Sequence, residues 1–298
     1  MDRRRPRRRQ WPTVAFVGAG RTAHALAHAL AAAGVPIVSV SSRSTSSAEA
    51  LARQLAGCAA GPPTQAELVL LTVPDDALDA VAAQIAWRPG QFVVHCAGAF
   101  GRDILAPATR AGAIAGVWHP LQSLARPGVS LRGARFAIDA PPPLESRLIA
   151  LTEAVGGVPL AIPSEGRALY HLGATIVSNY AVALVALAAD LWTVLGIRRS
   201  EAVAALAPLL AGTAANLAEM GVPAALTGPV ARGDLATVER HLAALERHRP
   251  DLLTLYRRLG LAALELAIER GLADDRAAAL KARLEDDTLA TTAVGRGG

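Results

Sequence analysis

The chain has 298 residues, of which 52% are hydrophobic, and a formal net charge of +5. This length and composition exclude a mainly disordered protein and allow one large domain or two ordinary ones. The first ten residues, MDRRRPRRRQ, contain six arginines and one aspartate, so the remaining chain is balanced in charge and offers no case for nucleic-acid binding.

The Arg-rich segment at residues 1–10 is predicted to be a disordered, solvated tail. Binding of RNA, acidic lipid or a transport receptor is the functional alternative. A twin-arginine export signal is disfavoured, because Arg21 and His24 interrupt the apolar residues that follow. The two cysteines, Cys58 and Cys96, lack metal-ligand spacing, so we expect no metal site and a cytoplasmic protein.

Short apolar runs alternate with amphipathic segments in the first half of the sequence. The runs are apolar on both faces and often β-branched, which is typical of a parallel sheet covered by helices. Predicted strands are Thr13–Val17, Ile37–Ser41, Leu68–Val73, Phe92–Cys96 and Ile114–Trp118, and predicted helices are Thr22–Ala32, Ser47–Leu55, Asp76–Ile85 and Ile104–Arg110. A capping box, Ser46 followed by Glu49, sharpens the start of the second helix. The alternation indicates an α/β fold with a doubly wound parallel sheet, a Rossmann domain.

The pattern changes after Trp118. Two further strands, Phe136–Ile138 and Val158–Ile162, are predicted on either side of a helix at Leu144–Val155. From Ser164 onward the apolar period is near 3.6, which predicts only helices. We therefore predict a nucleotide-binding domain at residues 11–164, an all-α domain at residues 165–290 and a second disordered tail at residues 291–298.

Residues 172–189, LGATIVSNYAVALVALAA, carry no charge and approach the length of a membrane span. However, Ser178 and Asn179 lie near the middle, and many of the apolar residues are alanine. A helix that is apolar on most sides is also typical of the buried centre of a helical domain. We therefore predict a helix of a soluble domain, with no membrane partner.

The sequence GAGRTA at residues 18–23 follows the first predicted strand and opens the first predicted helix. The first glycine permits a tight turn, and the second lets a pyrophosphate approach the backbone. The N–H groups of the helix N-terminus also favour phosphate. The predicted nucleotide contacts are Gly18, Ala19, Gly20, Arg21 and Thr22. A glycine turn without a ligand is the alternative.

The residues after the second predicted strand indicate which dinucleotide, NAD or NADP, the chain binds. NAD enzymes place a carboxylate there for the ribose hydroxyls, whereas this chain has Ser42, Arg43 and Ser44. The Arg43 cation and the serine hydroxyls suit a 2′-phosphate. The sequence therefore predicts NADP(H), with Arg21 as a second charge or simply a solvated residue.

The predicted strand that ends at Val73 is followed by Pro74. Ligands of such sheets bind at the carboxyl ends of the strands, so Val73 and Pro74 are predicted to lie beside the nicotinamide. Asp76 is more simply interpreted as the N-cap of the next helix.

Six motifs then occur in order: FVGAGRTAHAL, LLTVPDDAL, VVHCAGAF, GVWHPLQSL, ALYHLGATIVSNYAVAL and LTGPVARGD. Together they resemble the bacterial family that joins a Rossmann-like domain to a C-terminal domain of unknown function 2520, over about residues 13–285. That family is similar to a larger group with ketopantoate reductases, 6-phosphogluconate dehydrogenases and pyrroline-5-carboxylate reductases. The resemblance implies a reductase of a small 2-oxo acid and a homodimer formed by the helical domain.

Two positions depart from the relatives. Ala97 stands where the family usually has Ser, which removes a hydroxyl near the nicotinamide. Related dehydrogenases have a Lys four residues before an Asn; here the Asn is Asn179, and Thr175 takes the place of the Lys. The single Lys of the chain is Lys281, so a catalytic Lys at the usual position is excluded.

Another group must therefore donate the proton that a carbonyl needs when it is reduced. His95 and His119 end predicted strands, and His171 lies about two turns before Asn179 on a predicted helix. We predict His171 as the general acid, His119 as the second choice and His95 as a cofactor contact. A structural role for each histidine is the alternative. Asn179 is predicted to hydrogen-bond the substrate's oxygen.

Three further residues are predicted to bind substrate. Tyr170 precedes His171, and Gln122 follows the strand that leads to His119. Arg232, within TGPVARGD, is the candidate to hold a substrate carboxylate through a bidentate pair, while Asp234 caps the next helix. The site is expected in the cleft between the domains.

The sequence thus predicts an NADPH-dependent reductase of a small 2-oxo acid, with ketopantoate as the first candidate. Reduction of a cyclic imine, as in pyrroline-5-carboxylate reductases, is one alternative, since an iminium substrate needs less proton donation. A non-enzymatic NADP sensor is another, because the Lys and the Ser are missing.

Overall fold

The computed structural model describes residues 11–126 and 128–286. The chain forms two compact units that divide between Asn179 and Tyr180, within one long helix. The predicted tails at residues 1–10 and 291–298 lie outside the described residues. The predicted domain boundary, at Ser164, lies between the last strand and this helix.

An eight-stranded sheet forms the centre of the first unit. Its strands are β1 (Val14–Val17), β2 (Ile37–Ser41), β3 (Ala59–Ala60), β4 (Leu68–Leu71), β5 (Phe92–His95), β6 (Ile114–Leu121), β7 (Arg135–Asp139) and β8 (Val158–Ala161). The spatial order is β3-β2-β1-β4-β5-β6-β7-β8. The first six follow the doubly wound order of a Rossmann sheet, with the reversal between β1 and β4. All neighbours are parallel except β6 and β7.

Both faces of the sheet are buried, as the apolar runs predict. In β1, Val14 and Phe16 belong to one core cluster, while Ala15 and Val17 belong to the other. This division follows from the two-residue period of a strand. The predicted α/β fold with a doubly wound sheet and a following helical region is confirmed.

Five helices cover this sheet: α1 (Arg21–Ala32), α2 (Thr45–Ala52), α3 (Leu78–Gln84), α4 (Ala106–Arg110) and α5 (Leu144–Ala154). Buried residues of α1, α2 and α5 join the first core cluster, and those of α3 and α4 join the second. Short 3₁₀ turns at Asp75–Ala77 and Arg102–Leu105 precede α3 and α4. The helices therefore form a layer on each side of the sheet.

Two predicted helix caps are wrong. The N-cap of α2 is Ser44, not Ser46, because the Ser44 hydroxyl accepts the N–H of Ser47 at 3.2 Å. Asp76 caps no helix, since it lies within a 3₁₀ turn and α3 begins after Ala77 without a side-chain cap. As a result, α2 begins two residues earlier than predicted, at Thr45, and α3 begins two residues later, at Leu78.

The remaining helices are α6 (Arg167–Thr193), α7 (Arg199–Met220), α8 (Pro229–Arg232), α9 (Leu235–His248), α10 (Leu253–Glu269) and α11 (Asp274–Glu285). The core of the second unit combines α9, α10 and α11, with Val238, Leu264 and Leu280 nearly fully buried. Asp234 caps α9 as predicted, since its carboxylate accepts the N–H of Thr237 at 3.1 Å. The sequence did not predict α8 or α11.

Two helical segments, Ser164–Thr193 and Arg199–Met220, are long and apolar enough to cross a membrane by length and composition. Few of their residues are buried. Large apolar side chains on them, such as Val177, Val182 and Leu209, are about seven-tenths exposed. The buried centre predicted for residues 172–189 is therefore wrong for the single chain.

Candidate active site

The glycine turn after β1 has the shape that a dinucleotide site requires. Gly18 has a φ of +107°, and a Cβ on it would lie 2.6 Å from the backbone oxygen of Thr72, so only glycine fits. A Cβ on Gly20 would meet nothing within 4 Å. Gly20 is the N-cap residue of α1 and has no side chain that could accept a hydrogen bond. The N–H groups in the first turn of α1 therefore receive no side-chain cap from this position. The turn thus offers open space and free donors for a phosphate.

The end of β2 carries no carboxylate. Ser42 is partly buried and Arg43 is exposed, so the guanidinium is free to approach a ligand. The hydroxyl of Ser44 is engaged as the cap of α2, and it also shares a hydrogen bond with Ser46 at 3.0 Å. Arg43 is therefore the better candidate for a phosphate contact, and Ser44 orders the turn.

The candidate residues line one edge of the sheet, at the carboxyl ends of four adjacent strands. The glycine turn follows β1, Val73 and Pro74 follow β4, Gly98 follows β5, and His119 lies near the end of β6. Three inter-strand spacings separate β1 from β6, roughly 14 Å. An extended dinucleotide can follow this edge from the turn toward His119.

His119 is placed by its neighbours in β6. The preceding residue, Trp118, is fully buried, stacks on Phe136 with ring centroids 5.0 Å apart, and donates from Nε1 to Thr152 at 2.8 Å. Because successive side chains of a strand point to opposite faces, this anchor turns His119 to the other face. The backbone of His119 pairs with Ala137 of β7.

Ala137 of β7 also accepts a hydrogen bond from Arg167, the first residue of α6. Arg167 is 1% exposed, and its NH2 group donates to the carbonyl of Ala137 at 3.4 Å. Ser164, just before α6, donates to the carboxylate of Asp139, the last residue of β7. The first turn of α6 is thereby fixed beside His119.

Tyr170 and His119 form the central contact of the site. The Tyr170 oxygen lies 2.7 Å from Nδ1 of His119, and the rings meet edge to face. Burial lowers the pKa of His119 to about 4, and the nearby Arg167 guanidinium contributes to this shift. Burial raises the pKa of Tyr170 to about 12. Both side chains are therefore neutral at pH 7.

A cavity of about 630 Å³ opens beside this pair. It brings together four of the predicted residues, His119, His171, Gln122 and Asn179. The other lining residues are Leu121, Ser123, Gly173, Ala174, Thr175, Val177 and Ser178. Its size suits a small ligand. The lining contains no Asp, Glu, Lys or Arg among the residues that the structure describes, so the cavity is uncharged, and most of its surface is apolar.

Gly98 is a site residue that the sequence did not single out. A Cβ at this position would lie 2.6 Å from Nδ1 of His171 and 3.1 Å from Nε2 of His119. The absent side chain thus lets both imidazoles approach the end of β5. The motif VVHCAGAF contains this glycine, but a clash across three elements cannot be read from it.

His95 is fully buried and bonded at both ring nitrogens. Its Nε2 lies 3.0 Å from the carbonyl of Gly101, and its Nδ1 accepts the N–H of Ala97 at 3.2 Å. Burial lowers its pKa to about 4. This arrangement favours the structural alternative and leaves no ring nitrogen for the predicted cofactor contact.

His171 lines the cavity, and its buried Nδ1 has no hydrogen-bond partner among the described residues. Its ring lies 6.4 Å from that of His119. Arg232 belongs to α8 in the second unit, where its backbone carbonyl accepts from Arg276 at 3.2 Å. Its predicted substrate contact stays a prediction.

Comparisons with known proteins agree with this architecture. A Rossmann-like domain matches residues 3–120, and the Domain of unknown function (DUF2520) matches residues 134–263. A comparison with curated proteins gave no match.

Many solved structures share the fold, among them the three that follow. Protein TM1727 from Thermotoga maritima is 28% identical, with a TM-score of 0.71 over 87% of this chain and 99% of that one. BF3122 from Bacteroides fragilis, a proposed NADP oxidoreductase, is 26% identical, with a TM-score of 0.67 over 85% and 98%. A reductive aminase from Aspergillus terreus, in complex with NADPH and ethyl-5-oxohexanoate, is 18% identical, with a TM-score of 0.58 over 97% and 96%. The resemblance predicted from the motifs is confirmed: a match to a Rossmann-like domain is followed along the chain by a match to the DUF2520 domain.

Proposed function

We propose that this protein is an NADPH-dependent reductase of a small carbonyl compound, with 2-oxo acids as the first class to test. The observation that carries the proposal is the neutral His119–Tyr170 pair beside an uncharged cavity of about 630 Å³. The pair lies on the sheet edge that begins with the glycine turn. A proton donor and a nucleotide turn on one edge are what a carbonyl reduction needs.

NADP(H) fits the turn that the chain provides. Gly18 and Gly20 would admit the pyrophosphate, and Arg43 would hold the 2′-phosphate. The NADPH-bound reductase from Aspergillus terreus and the proposed activity of BF3122 support this cofactor. When bound, NADPH supplies the hydride that reduces the substrate.

The proton is assigned to His119 rather than to His171, which the sequence favoured. Tyr170 occupies Nδ1 of His119, which leaves Nε2 for a ligand. His171 has no such partner to orient its ring, because its buried Nδ1 is unbonded among the described residues. A donor that is held in one orientation transfers a proton more efficiently than one that is not.

The lining has no Asp or Glu among the described residues to pair with a cationic iminium, so it favours a carbonyl substrate. A carbonyl oxygen gains negative charge during reduction and can be stabilised by the neutral donors of His119 and Asn179. The amide of Gln122 and the hydroxyl of Ser123 are further donors that can hold the carboxylate of a 2-oxo acid. Ketopantoate is therefore the first member of the test panel.

Imine reduction is the second candidate. The reductive aminase shares the fold over nearly the whole chain, and Thr175 replaces the Lys of related dehydrogenases. An iminium carbon accepts a hydride without a proton donor, so this reaction does not need His119. The two candidates thus differ in whether the histidine is required.

The deciding experiment follows NADPH oxidation with a panel of 2-oxo acids, simple ketones and cyclic imines. We expect turnover with at least one carbonyl compound, and a loss of at least about tenfold in kcat for His119→Gln. Turnover of imines alone, unchanged in His119→Gln, would establish the second candidate. Tight NADPH binding without any turnover would indicate a sensor.

The cofactor is tested separately by calorimetry with NADPH and NADH. A charge-assisted bond to the 2′-phosphate contributes about 1.5–3 kcal/mol, so Arg43→Ala is expected to weaken NADPH binding by roughly tenfold or more and to leave NADH binding unchanged. Arg53→Ala is the matched control, because Arg53 is an exposed neighbour paired with Glu49 at 3.6 Å. Equal affinities for both nucleotides in the wild type would contradict the assignment.

A further inference from the structure

The contact between Tyr170 and His119 has two possible directions. Either the Tyr170 hydroxyl donates to Nδ1, so that the proton of the neutral ring sits on Nε2, or Nδ1–H donates to the Tyr170 oxygen and Nε2 is bare. Only the first arrangement gives His119 a proton at the nitrogen that is left for a ligand. The second would set a lone pair against the oxygen of a carbonyl substrate.

Arg167 lies directly behind this pair. Its guanidinium carbon is 5.9 Å from the centre of the Tyr170 ring, and the side chain is 1% exposed. A buried cation disfavours a second positive charge on His119 and favours negative charge on the Tyr170 oxygen. The guanidinium therefore adds to the effect of burial in keeping His119 neutral, and it partly offsets the burial that raises the pKa of Tyr170.

We propose that Tyr170 is a positioning residue and proton relay for His119: its hydroxyl donates to Nδ1 and so holds the Nε2–H toward the ligand, with Arg167 stabilising the negative charge left on the tyrosine. This inference rests on the proposed function for its chemical step. The orientation of the imidazole does not depend on the reaction and can be measured alone.

Bound NADPH would supply the hydride for the new C–H bond at the carbonyl carbon and would thereby be oxidised to NADP⁺. The carbonyl oxygen gains the proton of His119 Nε2, and Nδ1 takes the hydroxyl proton of Tyr170. The resulting tyrosinate is the species that Arg167 stabilises, and it recovers its proton from solvent.

The first test uses two-bond ¹⁵N–¹H NMR of the imidazoles, with His119 assigned from His119→Gln. We expect one neutral tautomer with the proton on Nε2 in the wild type. Tyr170→Phe is expected to give a mixture of tautomers, because the substitution removes only the hydroxyl. A proton on Nδ1 in the wild type, or an unchanged tautomer in Tyr170→Phe, would overturn the proposal.

The chain offers a matched control. Tyr256 lies 2.9 Å from Nδ1 of His241, with the rings 5.9 Å apart and nearly perpendicular, in the second unit. Tyr256→Phe thus removes an equivalent hydroxyl from an equivalent pair. It is expected to change neither the His119 signals nor the kinetics.

The second test is kinetic. Tyr170→Phe is expected to lower kcat by at least about tenfold, with the KM of the carbonyl substrate changed by less than about threefold. Because the tyrosine acts through the histidine, Tyr170→Phe should add less than about twofold to the defect of His119→Gln. Independent, multiplicative effects of the two substitutions would contradict the relay.

The failures of the two proposals are distinguishable. If the wild type reduces no substrate but shows the Nε2 tautomer and loses it in Tyr170→Phe, the reductase proposal fails and the positioning by Tyr170 stands. If the wild type is active and Tyr170→Phe matches it in kcat and tautomer, the relay fails and the reductase proposal stands.

Discussion

At the scale of single residues, two glycines on the same sheet edge are needed for opposite reasons: one keeps space open, and the other lets side chains fill it. Gly20 leaves space that nothing in the protein fills, whereas Gly98 leaves space that His119 and His171 occupy. The first could be found from sequence because its spacing from Gly18 belongs to a known motif. The second could not, since its neighbours come from β6 and α6.

Gly20→Ala is predicted to weaken NADPH binding without lowering the stability of the protein. The added Cβ meets nothing within 4 Å and the φ of −83° suits alanine, so the midpoint of thermal unfolding should not fall. The methyl group occupies the approach to the helix N-terminus, so NADPH affinity should fall by about tenfold or more. Gly212→Ala, on α7 and equally unobstructed, is the control. Undiminished NADPH binding by Gly20→Ala would place the phosphates elsewhere.

At the scale of elements, the ends of strands and helices carry the site. β5 ends in His95, and His119 lies near the end of β6. Burial keeps both histidines neutral, but His95 is bonded to backbone groups, whereas His119 faces Tyr170 and Arg167. Periodicity predicted both strands and so placed both histidines at the sheet edge. Their separate roles depend on hydrogen-bond partners from the loop at Gly101 and from α6, which no strand pattern contains.

From the lowered pKa values of His95 and His119 we predict that the protein loses stability in acid. Burial lowers the pKa of His95 and of His119 to about 4, against 6.5 when unfolded. Between pH 6.5 and pH 4 the unfolded chain therefore binds more protons, and the free energy of unfolding falls as the pH falls through this window. Denaturant titrations at pH 7.5 and pH 5 measure the loss.

Replacing one histidine should remove its share of that loss. His119→Gln is expected to be less sensitive to the change from pH 7.5 to pH 5 than the wild type, while His248→Gln, at an exposed position of α9, should behave as the wild type. An identical pH dependence for His119→Gln and the wild type would show that His119 is not held neutral by the fold.

At the scale of the whole molecule, the unusual feature is the apolar surface of α6 and α7. Monomeric proteins rarely expose large contiguous apolar patches. The large exposed apolar side chains of α7 are Val203, Leu209, Leu210, Leu217 and Met220. Composition revealed an apolar segment but assigned it to the interior, because a sequence does not state whether a helix is covered by its own chain or by another.

We expect a second copy of the chain to cover this surface, as the resemblance implied. Light scattering after size exclusion, in buffer without detergent, should give the mass of a dimer at micromolar concentration. Leu209→Glu, at a position that is 68% exposed, should shift the mass toward the monomer, whereas Leu259→Glu on α10 should not. A wild-type monomer, or partition into lipid vesicles, would contradict the dimer.

The sequence by itself determined the Rossmann order of elements, the glycine turn, the absence of a carboxylate beside Arg43 and the absence of the usual Lys. Each of these is a local pattern of a few residues, and local sterics and periodicity decide them. Only the tertiary structure decided which of the two cavity histidines has a hydrogen-bond partner: Nδ1 of His119 is bonded, and that of His171 is not among the described residues. Tyr170 reaches His119 across 51 positions of the chain because β7 holds Arg167, and a contact at that separation depends on how strands and helices pack.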